Sequence, residues 1–492
     1  MNLPSLFPIV NVLLFMAAVG LIVQAFIGLS FFVSSAWEKE RRATVFAAVQ
    51  FAGMTALLII FFLLVERGFF KTSLGVGLLI AGCIMAILAA IFMLRRTAPN
   101  RRALRGTLGF IVGKVDRFDE RMQVFARDRA LPPGSEQYTE FYVDHPELEQ
   151  YDAERREKGG PLGTIGLIDR PHEGPNVAAT LASLSIPFNL SLPEIVRPHS
   201  HPMLKGKNIS LSAEEASTRI KGFATNIGAD LVGIAEINPL WMYSHRGEIF
   251  HENWEEWGKE ILADHKYAVV VAEEMSLEMI GPAPHTPSVM ESMKNYAKGA
   301  YISTQLAAFI ANLGYEATAN HLRHYTAILP PLAVDAGLGE IGRLGYLMTK
   351  EFGPRIRLSA VTTNLPLIAD RPVDIGVEDF CKFCKKCATC CPSQSIPQDD
   401  APKEFNGALK WKLNDETCFG YWAKAGTDCC ICMKVCPWSH ARTFPHRLIV
   451  WLIARNKYVG RIFSVMDDIF YGRNPKPKVA PKWARFNNLN TQ

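Results

Sequence analysis

The sequence is short of charge where a soluble fold would need it. No Asp, Glu, Lys or Arg occurs from Met1 to Ala36, so this opening segment does not read as the exposed helix of a water-soluble domain. No arginine pair stands ahead of it, and the apolar run is too long for the core of a cleaved leader, so it is expected to be retained. Cysteine is also scarce over most of the chain. Of 11 Cys, Cys83 stands alone and the other ten lie between Cys381 and Cys436. That clustering excludes a secreted scaffold held by disulfides spread along the fold. Basic residues nowhere form a dense stripe interleaved with aromatics, and the net charge of +5 is modest for 492 residues. Nucleic acid is therefore not an expected partner. Long low-complexity segments and tandem repeats are absent.

What is present first is apolar length. Pro8 to Val33, Ala43 to Val65 and Leu74 to Leu94 are three uncharged runs, each reaching the roughly 20 residues that cross a bilayer core. The chain is expected to span a membrane three times. Gly75, Gly77, Ala81 and Gly82 would give the third helix a small-residue face for close packing. The first loop carries Lys39, Arg41 and Arg42, and Arg95, Arg96, Arg101, Arg102 and Arg105 follow the third run; the second loop has Arg67 and Lys71. The excess on one side puts the first loop and everything after residue 95 in the cytoplasm, with the N-terminus outside, at the inner membrane; in the cytoplasm thiols stay reduced.

The remainder parses into a loop-rich lead-in over 97–209, a regular core over 210–375, a cysteine segment over 376–440 and a tail over 441–492, behind an anchor over 1–96. In the core, Ser212 with Glu215 three residues on reads as a capping box opening a helix. "DLVGIAEI", "KYAVVVAEEM" and "IRLSAVTTNLPL" read as strands, and the stretch from Ser288 to Gly314 as a long helix. Strand–helix alternation predicts an α/β domain around a buried sheet. His199 and His201 are candidate metal ligands or a polar loop, and Trp241, Trp254 and Trp257 candidate pocket walls or core. The stretch Arg447 to Gly472 alternates apolar faces with Arg and Lys. Two placements are open for it, the bilayer surface and the catalytic domain, with the second favoured.

Cys381, Cys384, Cys387 and Cys391, followed by Pro392, make C-x2-C-x2-C-x3-C-P. This is the bacterial ferredoxin run, in which the fourth Cys ligates the other cluster. Cys429, Cys432 and Cys436, followed by Pro437, repeat the end of the motif, and Cys418 precedes them with an expanded spacing. The crossed pattern assigns Cys381, Cys384, Cys387 and Cys436 to one [4Fe–4S] cluster, and Cys391, Cys418, Cys429 and Cys432 to a second. Cys390 and Cys430 are spare. Zinc is the alternative, since paired C-x2-C motifs also build zinc sites; two runs each closing on Cys-Pro argue for iron.

"GLGEIG", Gly337 to Gly342, matches G-x-G-x-x-G, but two prolines precede it and no acid stands at 357–367, so a nicotinamide site is not expected. Gly337, Gly339 and Gly342, with Arg343, are instead expected to let backbone approach another large cofactor.

"DAGLGEIGRLGYLMTKEFGPRIRLSAVTTNLPL", followed by the two cysteine motifs, resembles the cobalamin-dependent reductive dehalogenases, over roughly 210–440. The resemblance implies a nitroreductase-like α/β core holding cobalamin beside a ferredoxin-like segment with two [4Fe–4S] clusters. The respiratory members carry a twin-arginine leader and dock on a separate three-helix subunit; here an anchor looks fused in front. The epoxyqueuosine reductases are similar relatives, but Arg323 stands where their acid is expected. A third reading is a membrane-tethered electron-transfer protein without cobalamin.

The family's chemistry implies a Tyr proton donor beside a cation, acting on a small organohalide such as a halogenated aromatic. "MKNYAKGAY" offers Lys294, Tyr296, Lys298 and Tyr301. Lys294 and Tyr301, seven apart, share a helix face, and Tyr301 is the first choice, then Tyr296, then Tyr243. Arg355 and Arg357 alternate on a strand and point the same way; either would supply the cation. The electron donor, whether quinol, ferredoxin or flavoprotein, is left open.

Overall fold

The three uncharged runs fold as helices α1 (Phe7–Trp37), α2 (Arg41–Glu66) and α3 (Ser73–Leu94), each long and apolar enough to cross a membrane. The computed structural model describes residues 7–159, 162, 174–191, 196, 204, 209–249 and 255–485; His199, His201 and Trp254 lie outside these. After α3 come α4 (Val124–Ala130), α5 (Glu136–Asp144), α6 (Pro146–Lys158) and α7 (Gly174–Leu190). Then follow α8 (Ala213–Asn226), β1 (Leu231–Glu236), β2 (Tyr267–Glu274), α9 (Leu277–Ile280), α10 (Thr286–Asn312), β3 (Ala317–Asn320) and α11 (Leu329–Asp335). Short strands β4 (Glu340–Ile341) and β5 (Leu347–Met348) precede β6 (Ile356–Thr363). The cysteine segment holds α12 (Val377–Cys384), α13 (Lys386–Thr389), β7 (Lys403–Phe405), β8 (Ala408–Lys410), α14 (Asp415–Ala425) and α15 (Ile431–Val435). Two helices close the chain, α16 (Phe444–Arg455) and α17 (Lys457–Tyr471).

These elements form two units. Residues 1–98 and 441–475 make the first, and 99–440 with 476–492 the second. In the first, α1 and α2 approach closely at Gly28, where a Cβ would fall 3.3 Å from Phe51 Cα. The small-residue face expected on α3 is not used in this way. A Cβ at Gly77 or Gly82 would meet nothing within 4 Å, and one at Gly75 would strike the preceding turn at Phe69 O. Thr72 caps α3, its hydroxyl accepting from Gly75 N at 3.1 Å. The tail divides between the units. Helices α16 and α17 pack on the ends of α1–α3, whereas Lys478 N bonds Gly281 O at 3.0 Å in the second unit.

The core of the second unit is a four-stranded sheet in the order β1-β2-β6-β3, and all three pairings are antiparallel. Both faces are covered. Val269 and Val271 of β2 meet Ile220 of α8 and Ile302, Leu306 and Ile310 of α10. The alternate residues Ala268, Val270 and Ala272 meet Leu332, Ala333 and Val334 of α11. Two buried faces explain why β2 reads as a continuous apolar run instead of an alternating one. Ser212 Oγ caps α8 by accepting from Glu215 N at 3.1 Å.

The segment read as a loop-rich lead-in contains α4–α7, because its charges pair internally. Asp152 receives Arg127 Nε at 2.8 Å and Arg155 Nη1 at 2.8 Å, and both arginines also reach Glu416 of α14. A string of Arg and Glu that looks solvated in sequence is here a buried network.

Glu120 is buried on the same side of the unit. Its Oε2 accepts from Gly247 N at 2.8 Å and lies 3.7 Å from Arg246 Nη1. Burial outweighs that cation and pushes its carboxyl from 4.5 up to about 8. Unfolded Glu120 gives up its proton first, so native stability falls as pH rises through this window, from 4.5 to about 8. Glu120→Gln removes the titration. Its unfolding free energy in detergent, relative to the parent, should therefore rise with pH across the window, by at most ~1.4 kcal/mol per pH unit. A pH-independent difference would mean that the carboxylate is ionised in the fold.

Candidate active site

The cysteine loops are shaped by tight turns. Lys385, between α12 and α13, has φ of 52°, and Cys429 and Cys430, ahead of α15, have φ of 64° and 55°. These left-handed residues let short helices turn successive sulfurs to one side. The thiols gather into two sets. Burial is the main cause raising Cys381, Cys387, Cys436, Cys418, Cys429 and Cys432, and their neighbours add to it. Cys381, pushed up to about 12, is raised further by Cys384. Cys387 is raised by Cys381 and Cys384, and Cys436 by all three. In the other set, Cys418 is pushed up to about 12 with Cys391 beside it. Cys429, also at about 12, feels Cys418 and Cys391, and Cys432 feels Cys429 and Cys418. Cys432 is raised by Cys387 as well, so the two sets adjoin. Thiols raised this far stay protonated unless a bound cation reverses the balance. Four soft sulfurs per set, buried together, fit iron–sulfur ligation.

Arg343 holds the first loop. It is fully buried, and its Nε and Nη2 donate to Cys381 O at 3.0 and 2.7 Å, while Nη1 reaches Pro397 O at 2.7 Å and Asp399 O at 2.6 Å. The glycines before it serve the chain's own packing. A Cβ at Gly337, where φ is +73°, would fall 2.5 Å from Arg371 O, and one at Gly339 would fall 2.0 Å from Met348 O. One at Gly342 would meet the Met348 side chain and stand 3.7 Å from Cys381 Sγ. The close approaches expected toward a cofactor are thus made to backbone and to the first thiol set. None of these four residues lines the cavity described next.

A cavity of about 1620 Å3, its open mouth included, lies in the second unit. Leu322, Leu329, Leu344, Ile356 and Leu358 give it an apolar wall, and Cys391, Cys418, Cys429 and Cys432 all reach its lining. Tyr243, Tyr296, Tyr325 and Tyr346 bring phenols to it, with Arg357, Arg129, Glu248 and Asp428 as its charges. The Arg357 guanidinium stacks over the Tyr296 ring at 5.2 Å. It donates to Ser292 Oγ at 2.8 Å and lies 3.3 Å from Asp428 Oδ2, and its Nε has no partner among the described residues. Burial pushes the Tyr296 phenol up; Arg357 pulls it down by less. Tyr296 thus holds its proton at neutral pH beside a cation that favours the anion.

The other candidates fall elsewhere. Tyr301 is 51% exposed, and Lys294 is exposed and paired with Glu291 at 2.6 Å. They do share a face of α10, but it is the solvent face. Tyr296 precedes Tyr301 by five positions, a turn of about 140° from that face toward the cavity. Lys298 pairs with Asp230 at 2.7 Å. Arg355 is fully buried and donates to Ser439 O at 2.8 Å, just past the second motif. Tyr243 lines the cavity, its hydroxyl accepting from Gln123. Trp241 bonds Thr107 Oγ1 at 2.9 Å and Trp257 packs on Phe141 at 6.4 Å, neither in the cavity lining. Cys430 lies in the cavity wall beside Asp428 and next to Cys429 and Cys432. Sequence reasoning missed Glu248, Arg129, Tyr325 and Asp428. Only Asp428 carried a signal, its adjacency to Cys429.

No protein-family model matches the chain. The tetrachloroethene reductive dehalogenase of Sulfurospirillum multivorans is 32% identical over 302 residues, 55% of this chain and 59% of that protein. Its counterpart from Desulfitobacterium hafniense is 35% identical over 277 residues, 48% and 50% of the two chains. An epoxyqueuosine reductase of Lactococcus garvieae is more distant, at 27% over 172 residues, 29% of this chain and 45% of that protein. Among solved structures, the catabolic reductive dehalogenase NpRdhA superposes with a TM-score of 0.58 at 27% identity, covering 77% of this chain and 49% of that one. The chain spans about half the length of these relatives.

The Arg343 contacts make a prediction. Arg343→Lys keeps the charge but loses the planar fork and leaves buried carbonyls without donors, at about 1–3 kcal/mol each. Iron should be lost faster from the purified variant under a chelator, with the mid-ultraviolet circular dichroism unchanged. An unchanged rate would assign Arg343 to packing alone. In its sequence and fold matches the chain is similar to the reductive dehalogenases.

Proposed function

We propose that this protein is a membrane-anchored oxidoreductase that reductively removes halide from a small organohalide. Electrons would enter through two [4Fe–4S] clusters, held by Cys381, Cys384, Cys387 and Cys436 and by Cys391, Cys418, Cys429 and Cys432. The observation that carries this reading is the Tyr296–Arg357 pair on one wall of a cavity whose lining also contains the second thiol set. Relatives with solved structures include one described by its mechanism of B12-dependent dehalogenation. The cavity fits a corrinoid in kind, with a broad apolar wall, few charges and direct contact with the thiol set that would reduce it. Cobalamin bound there would supply low-potential two-electron chemistry at the carbon–halogen bond.

The chain's own residues do the rest. Replacing halogen by hydrogen consumes two electrons and one proton, and releases halide. Tyr296 supplies the proton from its hydroxyl. Arg357 stabilises the phenolate left behind, and Ser292 and Asp428 fix the guanidinium over the ring. Arg129 and Glu248, 3.4 Å apart, add a second charged pair to the lining and so set the polarity of substrate that enters. The apolar wall excludes water, which would otherwise compete for the reducing equivalents.

Tyr296→Phe should lower turnover by about 10²–10⁴-fold with iron and cobalamin retained, and Tyr301→Phe should leave it unchanged. Halide release with an artificial reductant and a halogenated aromatic panel is the readout. The reverse ranking would move the donor to Tyr301. Cluster assignment has its own test. By crossed ligation, Cys391→Ala should damage the second cluster's paramagnetic signal, while Cys390→Ala keeps both. Loss of a cluster in Cys390→Ala alone would reverse the assignment.

The proposed orientation places the catalytic part in the cytoplasm, since positive charge is concentrated on that side of the spans. A reporter active only in the cytoplasm should give signal when fused after Thr107 and none after Lys71. An exported signal at Thr107 would invert the topology.

A further inference from the structure

Helix α17 is amphipathic in the opposite sense to a helix packed on protein. Its buried positions are Val459, Gly460, Ser464, Asp467 and Tyr471. Its large apolar side chains Tyr458, Ile462, Val465 and Ile469 are 54%, 46%, 61% and 45% exposed. They recur at intervals of four, three and four, so they form one stripe along the helix. On α16, Trp451 and Phe444 are exposed as well. A water-facing surface seldom leaves so continuous an apolar strip uncovered.

Contacts within this unit fix the height of the stripe against the apolar helices. At the α16–α17 junction, Arg455 Nε donates to Leu94 O at 2.7 Å and Asn456 Nδ2 to Phe92 O at 2.6 Å. Thr97 N returns a bond to Arg455 O at 3.0 Å. At its other end α17 meets the start of α2, where Arg42 Nε donates to Ile469 O at 2.8 Å and Phe46 packs on Phe470 at 5.6 Å. Leu94 ends the third span and Arg41 opens the second. Helix α17 therefore runs between two span ends on one side of the anchor, where hydrocarbon gives way to headgroups. The polar interior is satisfied there. Ser34 Oγ lies 2.7 Å from Thr443 Oγ1, which bonds His446 Nδ1 at 2.7 Å, and His446 Nε2 bonds the Tyr471 hydroxyl at 2.8 Å. Residues 441–475 hold six basic side chains, Arg442, Arg447, Arg455, Lys457, Arg461 and Arg473, against Asp467 and Asp468. Lys457 and Arg461 border the stripe and are exposed.

We propose that α16 and α17 form an interfacial clamp on the bilayer, with the α17 stripe buried among the upper acyl chains and Lys457 and Arg461 at the phosphates of anionic lipid. This rests on reading α1–α3 as membrane spans. The inverted pattern follows directly. The protein-facing side carries Ser464, Asp467 and Tyr471 because the span ends present polar groups and carbonyls. The outward side is apolar because its solvent is lipid.

The test places the photo-crosslinker benzoylphenylalanine at Val465, at Ile84 within the third span, or at Glu157 on the charged helix α6, in the full chain. Each protein is reconstituted in vesicles of phosphatidylethanolamine and phosphatidylglycerol, irradiated and analysed for adducts by mass spectrometry. Lipid adducts at Val465 and Ile84, with none at Glu157, are the expected result. Lipid at Ile84 but none at Val465, or a protein adduct at Val465, would overturn the clamp and leave the spans standing. Absence of lipid at Ile84 would overturn the membrane reading itself. A lipid yield at Glu157 equal to that at Val465 would also sink the proposal, since the stripe would then not be distinguished from ordinary surface.

Discussion

Two arginines at the entry to strand β6, Arg355 just before it and Arg357 within it, support both the cysteine loops and the cavity. Arg355 donates to Ser439 O at 2.8 Å, and Ser439 in turn bonds Met433 O, so the end of the second motif is tied to the sheet. Two positions on, Arg357 stacks over Tyr296 and reaches Asp428, which stands next to Cys429. The spacing of two is the pleat of the strand. Register does the rest: Arg357 lies opposite Glu273 of β2, and β2 is buried on both faces. A shift of one residue in β6 would carry both guanidinium groups to the face occupied by α11 and dissolve the site. The geometry of a redox centre thus rests on the register of one antiparallel pair.

Charge in this interior is held by saturation. Arg343 and Arg355 are fully buried, and each is surrounded by backbone carbonyls, which is how a guanidinium is kept away from water without a carboxylate on every side. Apart from Met275 O, which follows β2, the carbonyls they use belong to the cysteine segment. Such loops have few ladder hydrogen bonds of their own, so the arginines supply donors that a sheet or a long helix would have provided. The thiols are the reverse case. Cys381, Cys387, Cys436, Cys418, Cys429 and Cys432 are raised chiefly by burial, a balance that a bound cation would reverse.

How much of this was readable in advance differs by feature, for physical reasons. The cysteine motifs are legible from their spacing, whereas the nearness of Cys436 to Cys381 and Cys387, and of Cys418 to Cys391, is made by the fold. The spans follow from length without charge. The Tyr–Arg pair was only half legible. Tyr296 and Tyr301 lie on one helix, and sequence shows their angular separation but not which face meets the sheet. That is decided by Ser292, Asn295 and Gly299, small or polar residues buried against β6, which carry no apolar stripe to announce the inner face. The α17 helix misled for the opposite reason. Its apolar stripe is clear, but a stripe ordinarily marks a protein-facing side, and here that side is the exposed one. The lead-in between α3 and α8 misled through its charge, since pairing among Arg127, Asp152, Arg155 and Glu416 is invisible until the helices are assembled.

Shared ancestry with the epoxyqueuosine reductases sharpens what the pocket decides, since fold and cofactor type leave the reaction open. The acid expected of those relatives is replaced by Arg323, which has φ of 60° and does not reach the cavity lining. The acids that do reach it, Glu248 and Asp428, are each matched by an arginine, Arg129 and Arg357. The phenol of Tyr296, pushed up by burial, has the Arg357 guanidinium stacked over its ring, and that pair, together with the apolar residues Leu322, Leu329, Leu344, Ile356 and Leu358 of the same cavity, is what the proposed reaction rests on.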